Sequence, residues 1–169
     1  WAAAECVDYA DYLHWLGRVD THGDFEGLVV SGTYAYVAAS DSYWYSSFQV
    51  IDVTDSESPV VVGVFDMGDR ATGIAVSGTY AYFTSDFGVR IFDVSNPNDP
   101  TPIGGVFHIA GTEDISVSGE YGYVVGSQGL SVLGIAIPHA PQIVGSVVTP
   151  GMAHRVVVAG DFAYVAYLT

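Results

Sequence analysis

An all-β chain of four-stranded antiparallel blades, a β-propeller, is the fold class that three observations in this sequence predict. The phrase SGTYAY stands at Ser31–Tyr36 and again at Ser77–Tyr82, with blurred copies at Ser118–Tyr123 (SGEYGY) and Ala159–Tyr164 (AGDFAY). The residues that open the copies are 46, 41 and 41 positions apart, and self-similarity at about 40–45 residues is the mark of propeller blades. The apolar stretches between them are short, rich in Val and Ile, and bounded by Gly, Pro, Asp and Ser. That is the pattern of many strands joined by turns. No segment keeps a 3.6-residue apolar period beyond a turn or two, so a helical reading fails.

The elements follow in order along one domain, 1–169. Residues 1–12 form a lead-in whose Cys6–Tyr9 (CVDY) weakly echoes a third strand, VIDV, and Leu13–Gly17 (LHWLG) aligns with the fourth strands. The second copy shows the unit most plainly. Thr72–Gly78 is expected as a first strand ending in a tight turn, Tyr80–Asp86 as the second and Val89–Ser95 as the third. PNDP then turns the chain into Thr101–Phe107, the fourth. GLVVSG, DISVSG and RVVVAG are the other first strands; FQVIDVT and LSVLGIA are third strands, PVVVGVF and PQIVGSV fourth strands. Gly17, Gly63, Gly104 and Gly145 each fall 14 residues before the residue that opens a copy. The five extra residues of the first interval sit in ASDSYWYSSF, read as a longer aromatic loop between second and third strands.

Tyr34/Tyr36, Tyr80/Tyr82, Tyr121/Tyr123 and Phe162/Tyr164 alternate at period two, so each pair leaves one face of its strand. Blades cannot bury their faces alone, and stacking them makes the core. The repeated tyrosines are therefore read as packing residues, with carbohydrate stacking as the alternative. The chain ends within a second strand, FAYVAYLT. The N-terminal strands, of this chain or of another, are expected to complete the closing blade: Ala163–Leu168 should pair with residues 2–9, with Leu13–Gly17 outside them. Three arrangements stay open: a closed four-bladed ring, half of an eight-bladed ring made by two chains, or a fragment of a longer chain with a larger ring.

Composition narrows the function. Nineteen Asp and Glu face four basic residues, all Arg, for a net charge of −15. Such a chain repels phosphate backbones, which argues against nucleic acid and anionic membranes and favours cations or a basic partner. Without lysine there is no Schiff-base chemistry and no phosphate-binding lysine loop. Cys6 is the only cysteine, so neither an intrachain disulfide nor a multi-cysteine zinc site can form. There is no run of about 18 apolar residues to span a membrane. WAAAEC has the small residues that flank a signal-peptidase site, and is read either as the remnant of an export signal or as an arbitrary boundary.

FQVIDVTDSESPVVVG (48–63) and VRIFDVSNPNDPTPIG (89–104), each joined to an IAVSGTYAYV-like phrase, resemble the LVIVD-repeat proteins of bacteria and archaea. The resemblance runs from Leu13 to the end in both strand phrases and spacer lengths. It implies a β-propeller, exported or displayed at the cell surface, and implies no particular activity. The chain departs from the pattern where Asp52 and Asp93 give way to Gly134, so a role shared by those aspartates is missing from that blade.

The segments between fourth and first strands line the channel mouth of a propeller. Aligned there are Glu26, Thr72, Glu113 and His154, then Gly27, Gly73, Asp114 and Arg155, with Asp24 and Arg70 two residues ahead of the first set. Carboxylates and an imidazole around one axis could hold a divalent cation or do acid–base work; the competing reading is a solvated rim of Arg–carboxylate pairs. Asp52, Asp55, Asp93 and Asp99 gather oxygens as calcium does, without the EF-hand spacing, and turn capping is the competing reading. Tyr43, Trp44 and Tyr45 are candidates for an exposed binding surface. No catalytic residue is assigned and no cofactor beyond Ca²⁺ is considered. The sequence favours an extracellular binding or scaffold module, taking a protein or carbohydrate ligand or associating with itself. A hydrolase or lyase at the channel mouth and a structural subunit of a surface array are the alternatives.

Overall fold

The computed structural model describes residues 3–8, 14–21, 23–42, 45–109 and 111–169. They form antiparallel sheets with no helix among them. Three sheets have four strands in sequence order. The first holds β3 (Asp24–Ser31), β4 (Tyr34–Ser42), β5 (Tyr45–Asp52) and β6 (Val60–Asp66). The second holds β7 (Ala71–Ser77), β8 (Tyr80–Ser85), β9 (Gly88–Asp93) and β10 (Thr101–Phe107). The third holds β11 (Thr112–Ser118), β12 (Tyr121–Gly126), β13 (Gly129–Gly134) and β14 (Gln142–Val147). A two-stranded sheet stands at each end: β1 (Ala3–Asp8) with β2 (His14–Asp20), and β15 (Met152–Ala159) with β16 (Phe162–Leu168).

The repeated phrase builds the first hairpin of each unit. Ser31 pairs with Tyr34, Ser77 with Tyr80, Ser118 with Tyr121 and Ala159 with Phe162, leaving two-residue turns. The first turn residue is always glycine at positive φ: Gly32 at 63°, Gly78 at 59°, Gly119 at 58° and Gly160 at 57°. The second is not. This is the type II′ arrangement, whose twist matches the flanking strands and which wants Gly first. The insertion lengthens this part of the first unit differently from expectation. β4 runs to Ser42 and β5 starts at Tyr45, with Ser42 opposite Tyr45. The added residues lengthen β4 and β5 instead of widening a loop, and aromatic residues such as Tyr45 are favoured in strands.

The core lies between sheets. Tyr36, Phe48 and Val50 of the first sheet meet Ala71, Phe83 and Phe92 of the second, with Val29, Tyr34, Ile74 and Val76 at the margin. Ala75, Tyr82 and Ile91 meet Ile115, Val124 and Leu133 in the same way across the next joint, with Tyr80 and Val117 alongside. Val125 and Tyr123 meet Val156 across the third. Tyr36 and Tyr82 are almost wholly buried; these two are packing residues, and sugar stacking is not open to them.

The first strands stand in a row, β3 against β7, β7 against β11 and β11 against β15. Its ends, β3 and β15, have no comparable packing on each other among the described residues. The expected pairing of Ala163–Leu168 with residues 2–9, of which 2 and 9 lie outside the described residues, is not formed among the described residues of the chain: there β16 pairs with β15 alone and β1 with β2 alone. β1 and β2 share the register of the third and fourth strands, with Cys6 opposite Gly17 and Val7 opposite Trp15. What keeps them from β16 is their seat at the other end of the row, where Gly17 of β2 lies against Ser56 and Glu57 of the first sheet.

Candidate functional site: a row of bulges at the sheet joints

Each first strand carries one bulge, at the same place. The register slips between Phe25 and Gly27, Ala71 and Gly73, Thr112 and Asp114, and Ala153 and Arg155. The skipped residues are Glu26, Thr72, Glu113 and His154. A bulge bends its strand and re-aims the extra side chain, so these four share a structural place as well as a repeat offset.

The first three bulge side chains each reach the next first strand or the segment leading into it, and the fourth, His154, is the partner of the third. Glu26 Oε1 accepts hydrogen bonds at 3.4 Å from both Nε and Nη2 of Arg70. Buried Thr72 donates from its hydroxyl to the Thr112 carbonyl at 2.8 Å and shares a 3.0 Å hydrogen bond with the Thr84 hydroxyl. Glu113 Oε2 lies 3.7 Å from His154 Nδ1, both side chains about one-third exposed. Asp114 adds a second tie across that joint: its Oδ2 accepts from the backbone N–H of Val156 at 3.0 Å, and its Oδ1 stands 4.0 Å from Arg155. Asp24 pairs with Ser40 in the β3–β4 hairpin and is exposed.

The expected Glu–His–Glu set therefore divides. Glu113 and His154 come together, while Glu26 is taken by Arg70. Among the described residues no three His, Cys, Asp or Glu groups are placed to hold a metal ion. The aspartates of the strand 3–4 turns cap those turns. Asp52 Oδ1 accepts from Thr54 N–H at 2.9 Å, Asp55 Oδ1 from Glu57 N–H at 3.0 Å and Asp93 Oδ1 from Ser95 N–H at 2.8 Å. Asp99 donates its N–H to the Asn96 carbonyl at 3.1 Å. The Thr54 side chain, with its backbone N–H, holds the Asp52 carboxyl below the usual aspartate value; the Ser95 side chain and N–H do the same for Asp93. Tyr43 and Trp44 lie outside the described residues, as does the side chain of Tyr45.

Sequence reasoning missed the Asp69–Arg90 pair. Asp69 is 7% exposed, and its Oδ1 lies 3.3 Å from Arg90 Nη2 while Arg90 Nη1 donates to the Met67 carbonyl at 2.8 Å. Neither residue has a counterpart of like charge at the same offset in another repeat, so no repeat signal marked them. A cleft of about 390 Å³ lined by Trp15, Leu16, Gly17 and Arg18 shares no residue with the bulge row.

No curated protein matches the chain. The family model described as the LVIVD repeat matches four times, over residues 22–67, 68–106, 111–149 and 150–169. These matches follow the sheets just described: one for each four-stranded sheet and a partial one for β15–β16. The chain belongs to the LVIVD-repeat family.

Proposed function

We propose that this chain is an exported acidic β-propeller module that binds or scaffolds a basic protein partner and performs no reaction of its own. The observation that carries the reading is the fate of its positive charge. All four arginines lie beside carboxylates, Arg18 with Asp20, Arg70 with Glu26, Arg90 with Asp69 and Arg155 with Asp114. The net charge of −15 is left without a compensating patch, and a field of one sign steers a cationic partner toward the protein. The bulge row supports the end at which contact is made, because it sets Glu26 at the first joint and Glu113 with Asp114 at the third, on the same side of the sheets. Their ties to the next strand are structural, which suits a rigid binding rim better than a mobile acid–base site. The propeller reading is supported by the near-equal spacing of the units and the row of first strands. A place outside the cytoplasm is what the family resemblance implies.

Nuclear magnetic resonance titration of the labelled chain with an oligolysine peptide tests the proposal. Amide shifts confined to the neighbourhood of Glu26, Glu113 and Asp114, weakening as salt is raised toward 1 M where the Debye length is about 3 Å, are the expected result. Uniform small shifts, or none, overturn it.

A further inference from the structure

The second sheet carries an exposed aromatic corner at its bulge end, and we propose that this corner stacks an arginine side chain of a basic protein partner. Phe87 and Phe107 are 61% and 52% exposed, and His108 beside them is exposed as well. The three belong to one corner. Phe107 faces Gly88 across β9 and β10, and the Phe87 carbonyl accepts from the His108 N–H at 2.9 Å. Ala71 pairs with Ser85, so the Asp86–Phe87 turn lies at the same end as the bulge at Thr72. The second sheet stands inside the row, with the first sheet packed on one side and the third on the other.

The backbone of this corner is fixed. Asp86 and Phe87 are the two residues of the β8–β9 turn, since Ser85 pairs with Gly88. Phe87 N–H donates to Ser85 Oγ at 3.3 Å, and Gly111 N–H to the Asp86 carbonyl at 3.3 Å. Thr112 donates from its hydroxyl to the Ser85 and Gly88 carbonyls. His108 holds φ at 75°, the only non-glycine residue at positive φ among the described residues. That conformation is costly outside glycine; it turns the chain as β10 ends, with Phe107 left outside and Ile109 buried. The Phe107 ring lies back over Gly105, where an added Cβ would come within 3.2 Å of its tip. One face of that ring is thus against backbone. Two rings so exposed leave on the order of 200 Å² of apolar surface, the scale of one anchor. An aromatic held on a rigid backbone is what a binding hot spot requires.

Charge selects the occupant. Asp86, on the turn itself, is exposed, and Glu113 and Asp114 follow directly on Thr112, whose hydroxyl holds that turn. A purely apolar ligand would strip water from these carboxylates and leave them unpaired. A guanidinium meets both demands, since its plane stacks on an aromatic face while its N–H fork bonds a carboxylate. The compact, strongly hydrated lysine ammonium matches the ring less well. The inference rests on the basic-partner reading above and adds to it the side chain recognised and the residue that anchors it.

Calorimetric titration of the chain with hexa-arginine and with hexalysine tests it. Hexa-arginine should bind more tightly than hexalysine. Phe87→Ala should weaken hexa-arginine by about two- to fivefold, the worth of one exposed cation–π contact, and hexalysine less. Phe87→Trp, with the better π face, should bind hexa-arginine at least as tightly as the native chain. Both substitutions fall on an exposed turn residue, and an amide spectrum unchanged away from the turn shows that the fold is kept. Unchanged hexa-arginine affinity in Phe87→Ala overturns the inference while hexalysine binding leaves the basic-partner reading standing. Failure of both peptides to bind the native chain overturns both. Shifts of the Phe87 and Phe107 ring resonances on adding neutral maltohexaose, with none from hexa-arginine, would assign the corner to a sugar and overturn the inference as well.

Discussion

The carbonyl of Pro97 stands against Gly63 so closely that a Cβ built on the glycine would overlap it. Pro97 belongs to the strand 3–4 turn of the second sheet and Gly63 to the fourth strand of the first, so this contact sets the distance between sheets. The neighbour is backbone and cannot swing away. Gly63→Ala is expected to cost about 1–3 kcal/mol, the usual range for overpacking a closed site, read as a lower midpoint in urea. Gly145→Ala is the internal control. Among the described residues no turn faces it, and its effect on the folding of one molecule should be within about 0.5 kcal/mol.

Asp114 ties the third sheet to the last hairpin through the backbone of Val156. Asp114→Ala leaves that N–H without its partner in a partly buried place, at a cost of about 1–3 kcal/mol. The loss should fall on β15–β16, so amide exchange at Val156 should accelerate more than exchange in β7–β10. Asp114→Asn keeps an oxygen acceptor and should restore most of the protection.

Phe48 belongs to the first sheet, yet its ring lies 4.5 Å from that of Phe83 and 5.4 Å from that of Phe92, both of the second. All three rings are fully buried. Phe83→Ala should cost about 3–5 kcal/mol, the transfer term plus a cavity. Because the cluster spans a joint, Phe48→Ala and Phe83→Ala should be non-additive by about 0.5–3 kcal/mol in a double-mutant cycle. Additive losses would mean that the two sheets fold without cooperating.

What the sequence made legible was whatever each repeat states locally. Gly32 and its counterparts mark the II′ turns because a positive φ excludes most other residues. The offset shared by Gly17, Gly63 and Gly104 could be counted, but its cause lies in the backbone of the following sheet, which no local pattern displays. The mouth residues illustrate the same limit. Their common offset placed Glu26, Thr72, Glu113 and His154 at equivalent bulges, while the partner of each depended on the neighbouring repeat, so Arg70 rather than His154 answers Glu26. Asp69 and Arg90 pair without a like-charged counterpart in any other repeat and left no trace to read. The insertion misled because aromatic and serine residues serve a loop or an edge of strand equally well, and pairing partners decided between them. The pairing of β16 with β1, expected within this chain or with another, is not formed among the described residues of this chain, where the two stand at opposite ends of the row.

Acid should loosen the strand 3–4 turns in a particular order. The Thr54 side chain and N–H depress the Asp52 carboxyl and the Ser95 side chain and N–H depress that of Asp93, so folded protein binds these protons more weakly than unfolded chain. The stabilisation is therefore complete above the ordinary aspartate value and is lost as pH falls through the depressed one. Both carboxylates are largely solvated, so the effect on global stability is small and should be sought locally. Carboxyl carbon resonances of Asp52 and Asp93 should titrate below those of the same residues in unfolded peptides. Amide protection of Thr54 and Ser95 should fall over the same interval. Asp93→Asn keeps the Oδ1 acceptor, as the repeat itself does where Asn96 caps Asn98 at 3.3 Å, and should make Ser95 insensitive to pH across this range without unfolding the turn. The third sheet has Gly134 at this place and closes its turn by a bond from Ala140 N–H to the Ile137 carbonyl at 2.9 Å. With no carboxylate cap to protonate, its Ala140 amide should stay protected at a pH where Thr54 and Ser95 exchange, and simultaneous loss at all three turns would show that acid acts on the whole fold instead.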